Sequence, residues 1–214
     1  MTGACATPIV FLVDDDAAIR TALARGLVAS GLAVQAFESA DVFLAAHDPE
    51  TPGCLVADVA MPGMSGLELQ SVLSTRGSAR PVIFVTGKGS IPMSVQAMRA
   101  GAVTFLPKPV RLAELVDAVR EALEMDRRCR EEQAERFAVE SRLRALTSRE
   151  REVLELIVVG KLNKQIAAEL GAAEKTIKVH RGRVMAKLNV RSVAELVSLT
   201  SRAVQRPAPR LPAG

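Results

Sequence analysis

From Ile9 to about Glu124 the chain alternates short apolar runs with longer amphipathic ones. The short runs are IVFLV (9–13), LAVQAF (32–37), CLVAD (54–58), PVIFV (81–85) and VTFL (103–106). They are rich in β-branched or aromatic side chains and most lack polar alternation, which predicts strands buried on both faces. Between them, Ile19/Leu23/Leu27 and Leu112/Val116/Val119/Leu123 recur at helical spacing. Gly31, Pro62-Gly63, Ser65-Gly66 and Gly101 supply the breaks. Five such units predict an α/β fold, a five-stranded doubly wound parallel sheet with right-handed crossovers.

Residues 125–141, MDRRCREEQAERFAVES, contain no Gly or Pro and mix both charge signs. They predict a solvated helix continuing from the last helix of the sheet domain, a plain linker in preference to a dimerisation stalk, since its apolar positions are too few for a heptad seam. From Leu146 the strand-like runs give way to helical periodicity. One helix starts at Thr147 or Ser148, with Glu150 completing a capping box, buries Val153, Leu154, Ile157 and Val158, and stops at Gly160. Three more follow over 163–170, 174–188 and 192–200, the first two separated by the tight turn Gly171-Ala172-Ala173. That is an all-α, four-helix domain with a helix-turn-helix. The domain division expected is 1–124, a helical linker 125–143, 144–207, and a Pro-rich disordered tail 208–214.

Charge separates the two halves. Residues 1–124 carry nine basic and thirteen acidic side chains, and residues 145–214 carry thirteen and six. An acidic module tethered to a basic one suggests a cation site in the first and a polyanion partner for the second. No stretch approaches the roughly 18–20 unbroken apolar residues of a membrane helix, so no membrane role is expected. The N-terminus lacks the basic n-region of a signal peptide. Cys5, Cys54 and Cys129 are odd in number and far apart, which fits a reducing cytoplasm and neither a disulfide framework nor a zinc site.

In a doubly wound sheet, ligands sit beyond the carboxyl ends of the strands. Asp14, Asp15 and Asp16 follow the first predicted strand, Asp58 ends the third, Thr86 follows the fourth and Lys108 the fifth. Clustered carboxylates repel one another unless a cation or proton lies among them, and Mg²⁺ suits such a site. A carboxylate poised between Mg²⁺ and a lysine is a phosphoryl acceptor, because that transfer needs mainly positioning and charge neutralisation. In the basic half, Ile177, Val184 and Leu188 share one face of the helix after the turn, while Lys175, Lys178, Arg181, Arg183 and Lys187 lie on the other, as for a helix entering a DNA major groove.

The segments VFLVDDD, LVADVAMPGMSGLEL, PVIFVTGKG and AGAVTFLPKP resemble the signature segments of receiver domains of two-component response regulators, over about residues 8–124. Residues 144–203 resemble the LuxR-type DNA-binding domain, and the chain as a whole is similar to the NarL/FixJ family, FixJ-like in TGKGSIPMSVQAMRAGAV, NKQIA and VHRGRVMAKL. The resemblance implies a flavodoxin-like receiver with Asp58 as phosphoacceptor. Asp14, Asp15, Asp58 and the backbone carbonyl of Ala60 would bind Mg²⁺, and Thr86, Phe105 and Lys108 would respond to the phosphoryl group. It also implies base contacts by Lys178 and Val179, and mainly phosphate contacts by Lys164, Lys175, Thr176, Arg181 and Arg183. The implied partners are a histidine kinase, double-stranded DNA, a second copy of the chain on phosphorylation, and RNA polymerase. The unphosphorylated receiver is expected to mask the tail domain. Val110, Ser90 and Gly182 stand where many or some relatives carry Phe, Asp and Lys.

Two other functions compete. Asp14-Asp15-Asp16 contains a DxD after a first strand, as in haloacid-dehalogenase-like phosphatases, but Ala-Ala follows it and no second acidic pair follows the fourth strand. A redox-responsive receiver would use Cys54 or Cys129, although Cys54 opens a buried strand and reads as packing. Asp16 reads as a cap of the first helix. His180 reads as a buried or capping imidazole ahead of a base contact, and His47 as part of an exposed turn without a role.

Overall fold

A computed structural model describes residues 7–87 and 97–204. They divide into two compact units after Arg130. The first contains β1 (Ile9–Val13), α1 (Ala17–Ala29), β2 (Ala33–Phe37), α2 (Ala40–Ala46), β3 (Gly53–Asp58), α3 (Gly66–Thr75), β4 (Val82–Thr86), β5 (Thr104–Pro107) and the start of α4 (Leu112–Arg144). All strand pairs are parallel, in the order β2-β1-β3-β4-β5. Ser90 lies outside the described residues, as do Cys5 and the Pro-rich tail.

The two faces of the sheet take alternate residues, as strand geometry requires. Phe11, Val13, Leu55, Ala57 and Phe84 pack with Phe43, Leu69 and Leu73 of α2 and α3. Val10, Leu12, Cys54, Val56, Ile83 and Val85 pack with Leu27 of α1 and Leu115, Val119 and Ala122 of α4. β1, β3 and β4 are buried almost throughout, whereas the edge strands β2 and β5 are largely half-exposed. Their expected burial on both faces therefore holds only for the centre of the sheet, because an edge strand has a neighbour on one side alone.

The segment read as a solvated linker is helical, and α4 runs unbroken to Arg144, but its first turns are not solvated. Asp126 is only 4% exposed. Its Oδ2 accepts from the backbone N–H of Gly53 at 2.8 Å and from Arg130 Nε at 2.8 Å. Arg130 donates further to the carbonyls of Pro49, Glu50 and Thr51. Gly53 is where β3 presses on β1: a Cβ there would lie 1.9 Å from the Ile9 carbonyl oxygen. Nearby, Arg80 reaches the carbonyls of Asp48 and Thr51, stacks over Phe11 and donates to His47 Nε2. His47 is thus half-buried against Phe11 and Phe43, not in an exposed turn. Burial and the Arg80 charge hold its imidazole below the usual pKa, so it stays neutral as an acceptor.

The second unit packs α5 (Ser148–Val158), α6 (Asn163–Glu169), α7 (Glu174–Leu188) and α8 (Val193–Val204) around Val153, Leu154, Ile157, Ile166, Ile177, Val184, Leu188 and Leu196. Thr147 caps α5 in a reciprocal capping box with Glu150.

Candidate phosphoacceptor site and DNA-facing helix

The strand order reverses between β1 and β3, and there the carboxyl ends of the sheet open a crevice. The structure sorts the three consecutive aspartates. Asp16 turns away from the crevice and caps α1, its Oδ1 accepting from the N–H groups of Ala18 and Ile19. Those bonds hold its carboxyl below the usual range. Asp14 and Asp15 join Asp58, with one carboxylate oxygen from each lying within 4.8 Å of the others. Asp14 and Asp58 are buried and Asp15 is exposed.

Lys108 Nζ lies 2.7 Å from Asp14 Oδ2 and 2.8 Å from Asp58 Oδ2. Asp14 Oδ1 accepts from the Asp16 N–H and Asp58 Oδ1 from the Ala60 N–H. Burial pushes the Asp14 carboxyl up, offset only in part by the Lys108 ammonium. Burial alone would push Lys108 down, but its bonds to the two carboxylates outweigh this and leave it above the ordinary lysine value. Gly66 makes the close β3–α3 connection possible, since a Cβ there would come 2.3 Å from the Asp58 carbonyl oxygen. Thr86 is buried at the end of β4, its carbonyl accepting from the Lys108 N–H. Phe105 is half-buried, 6.4 Å from the Phe84 ring. Ala60 is exposed two residues beyond Asp58. Three hard oxygen donors with one ammonium fit a small divalent cation of the Mg²⁺ type.

On α7, Lys175, Thr176, Lys178, Val179 and Arg183 are exposed, and Lys164 is exposed on α6. A side chain at Gly182 would meet nothing within 4 Å, which leaves that face open. Arg181 is half-buried and donates to Asn163 Oδ1, joining α7 to α6. Lys187 differs from the sequence reading of this face: its ammonium lies 2.6 Å from buried Glu150 Oε2 and also donates to the Ala145 carbonyl. It ties α7 to the start of α5. His180 is half-buried, and its Nδ1 meets no hydrogen-bond partner among the described residues.

The family model for the response regulator receiver domain matches residues 10–120, and that for bacterial regulatory proteins of the luxR family matches residues 144–200. The chain belongs to the NarL/FixJ response regulators. Nodulation protein W of Bradyrhizobium diazoefficiens is 46% identical, over 93% of this chain and 88% of its own. The transcriptional regulatory protein FixJ of Azorhizobium caulinodans is 44% identical, over 93% and 94%. Among solved structures, response regulator StyR matches with a TM-score of 0.87 and 47% identity, over 92% of this chain and all of that one. Full-length FixJ from B. japonicum matches at 0.57 and 36%, over 92% and 98%. This response regulator thus combines a receiver with a LuxR-type DNA-binding domain, and its relatives are transcriptional regulators, not metabolic enzymes.

The phosphatase reading, and the redox reading as it concerns Cys54, lose support in the geometry. Asp14, the nucleophile of a DxD phosphatase, is 1% exposed and bonded to Lys108 and the Asp16 N–H. The Cys54 thiol is buried in β3 and pushed up to about 12, far from the thiolate that redox chemistry needs. The polar network of Asp126, Arg130, Arg80 and His47 was missed in the sequence. Its one local signal is the i,i+4 spacing of Asp126 and Arg130, which surface pairs share.

Proposed function

We propose that this response regulator accepts a phosphoryl group on Asp58 from a histidine kinase, and that the phosphorylated chain dimerises and binds double-stranded DNA to regulate transcription. The observation that carries this reading is the Lys108 ammonium between Asp14 and Asp58, in a cluster holding a third carboxylate. One cation against three carboxylates leaves surplus negative charge beside a would-be nucleophile. Asp14, Asp15, Asp58 and the Ala60 carbonyl would hold Mg²⁺, which when bound supplies charge neutralisation at the phosphoryl oxygens.

A carboxylate oxygen of Asp58 attacks phosphorus in line. The new O–P bond forms as the P–N bond of the phosphohistidine breaks, and the departing imidazole keeps the electron pair and takes up a proton. Lys108 exchanges its bond to Asp58 for one to the phosphoryl group, whose added charge of about −1.5 to −2 also draws in the Thr86 hydroxyl. Phe105 rotates inward behind Thr86, and the altered face beside β5 pairs with a second copy. The receiver's only chemistry is its own phosphorylation and dephosphorylation.

In this reading residues 1–124 are the receiver, 125–143 the helical linker, 144–207 the DNA-binding domain and 208–214 a tail. Lys178 and Val179 meet base edges, and Lys164, Lys175, Thr176, Arg181 and Arg183 meet mainly phosphates. Residues 142–214 alone bind DNA more tightly than the whole unphosphorylated chain. The protein works in the cytoplasm and meets RNA polymerase at its promoters. No helix among the described residues is long and apolar enough to cross a membrane.

The test is intact-mass spectrometry after incubation with acetyl phosphate and Mg²⁺. Wild type gains one phosphoryl group and Asp58→Asn gains none. Labelling of Asp58→Asn at the wild-type level, or failure of wild type with both acetyl phosphate and a panel of kinases, would refute the assignment.

A further inference from the structure

We infer that Arg20 is a positioning residue for the acidic crevice: its guanidinium holds the β1–α1 turn in the form that presents Asp14 and Asp15 to a divalent cation. The inference rests on the phosphoacceptor reading above and concerns a side chain that does not itself enter the crevice.

Arg20 lies in α1, one turn beyond the cap, with its N–H bonded to the Asp16 carbonyl. Its half-buried side chain runs back toward β1, where Nη1 donates to the Asp14 carbonyl at 2.6 Å and to the Asp15 carbonyl at 3.3 Å. Asp14 is therefore fixed on every polar atom. Its N–H donates to the Phe37 carbonyl, its carboxylate accepts from Lys108 and the Asp16 N–H, and its carbonyl accepts from Arg20. Asp15 is held differently. Its carboxylate is exposed, and its backbone carbonyl is bonded to Arg20. The direction in which that carboxylate leaves the chain is thus set by the backbone that Arg20 grips.

Three adjacent carboxylates repel one another, and a turn carrying them relaxes outward unless something holds it. A charge-assisted bond to the two carbonyls opposes that relaxation without neutralising any carboxylate. The guanidinium charge would also repel an incoming cation, but from the carbonyl side of the turn and partly screened by solvent. Ordering of the ligands should therefore dominate, and loss of Arg20 should weaken the site.

The experiment is a calorimetric Mg²⁺ titration of the full chain as wild type, Arg20→Lys and Arg20→Ala. It is paired with amide hydrogen exchange in EDTA and the Mg²⁺ dependence of phosphorylation by acetyl phosphate. We expect Arg20→Ala to bind Mg²⁺ about fivefold more weakly, the scale of one ordinary net hydrogen bond, with Arg20→Lys in between. The Asp16 N–H, bonded to Asp14, should exchange faster without any metal. The phosphorylation rate of Arg20→Ala should approach wild type at saturating Mg²⁺, since the loss lies in binding and not in transfer. Unchanged or tighter Mg²⁺ binding in both variants overturns the inference alone. So does a loss of saturating rate with affinity intact. A wild type that neither binds Mg²⁺ nor takes phosphate sinks the phosphoacceptor reading, and this inference with it.

Discussion

Strand β3 ends in a carboxylate cluster at one pole and begins against a carboxylate at the other, and the two poles use similar side chains to opposite effect. At its start, Asp126 meets one guanidinium and one backbone N–H, and the guanidinium spends its remaining donors on loop carbonyls. At its end, Asp58 shares a single ammonium with Asp14 while Asp15 stands exposed beside them. The first arrangement balances one carboxylate against one guanidinium and holds structure. The second carries unneutralised charge and open valences, which is what a site needs in order to accept something from solution. The ratio of charges to partners separates the two, more than residue type or burial does.

The sharpest way to break this comparison is Asp126→Ala. It leaves the Gly53 N–H unpaired and Arg130 without its carboxylate, and should cost about 2–4 kcal/mol in urea unfolding of the receiver. At low urea, the folded fraction should still take phosphate on Asp58. A stability loss under about 0.5 kcal/mol, the level of ordinary surface changes, would mean that the charge-balanced pole is not structural.

A third carboxylate pair, Glu150 with Lys187, tests the same distinction in the second unit. The Lys187 bond and then the Thr147 N–H hold the Glu150 carboxyl at about 2, against an ordinary 4.5. A lowered acid contributes stability that is fully present above the unfolded value and lost as pH falls through the folded one. Methyl signals of Ile177 and Val184 followed through urea should show wild type weakening from pH 4.5 toward 2. Glu150→Gln should start weaker at neutral pH and vary less across that window. Equal slopes in the two proteins would remove Glu150 from the set of charge-balanced pairs.

The smallest effect separates two lysines of one helix. Exposed Lys175→Ala should lower the slope of log affinity for DNA against log salt by about 1, as one lost phosphate neutralisation does. Lys187→Ala should leave that slope unchanged, because its ammonium is already committed to Glu150. Matching slopes for the two variants would return Lys187 to the DNA surface.

Much of this was legible in the sequence, and the exceptions have a common cause. The five strands, the Thr147–Glu150 capping box and the inward face of α7 are local patterns, so spacing alone located them. The acidic crevice was legible because doubly wound topology gathers the carboxyl ends of strands, whatever the intervening sequence. The roles of Asp126, His47 and Lys187 were not. Gly53 and Asp126 are 73 residues apart, and Arg80 and His47 are 33 apart. Nothing in a charged helical segment says which of its aspartates will find a strand N–H. Lys187 shows the same limit within a small domain, where position on a helical wheel suggested DNA and a partner 37 residues away claimed the ammonium.

The grip of Asp126 and Arg130 on β3 has a practical consequence for dividing the chain. The apolar contacts of α4 with the sheet end near Leu123, and the receiver family match stops at residue 120. A receiver fragment cut at Glu124 would keep all those contacts, yet lose the carboxylate that closes the first N–H of its central strand and the arginine that folds down residues 49–51. A fragment ending at or after Arg130 keeps both. Two excised receivers with the same hydrophobic core and the same crevice should therefore differ in melting temperature, and the six residues between them belong to the receiver's foundations even though they look like the road leading away from it.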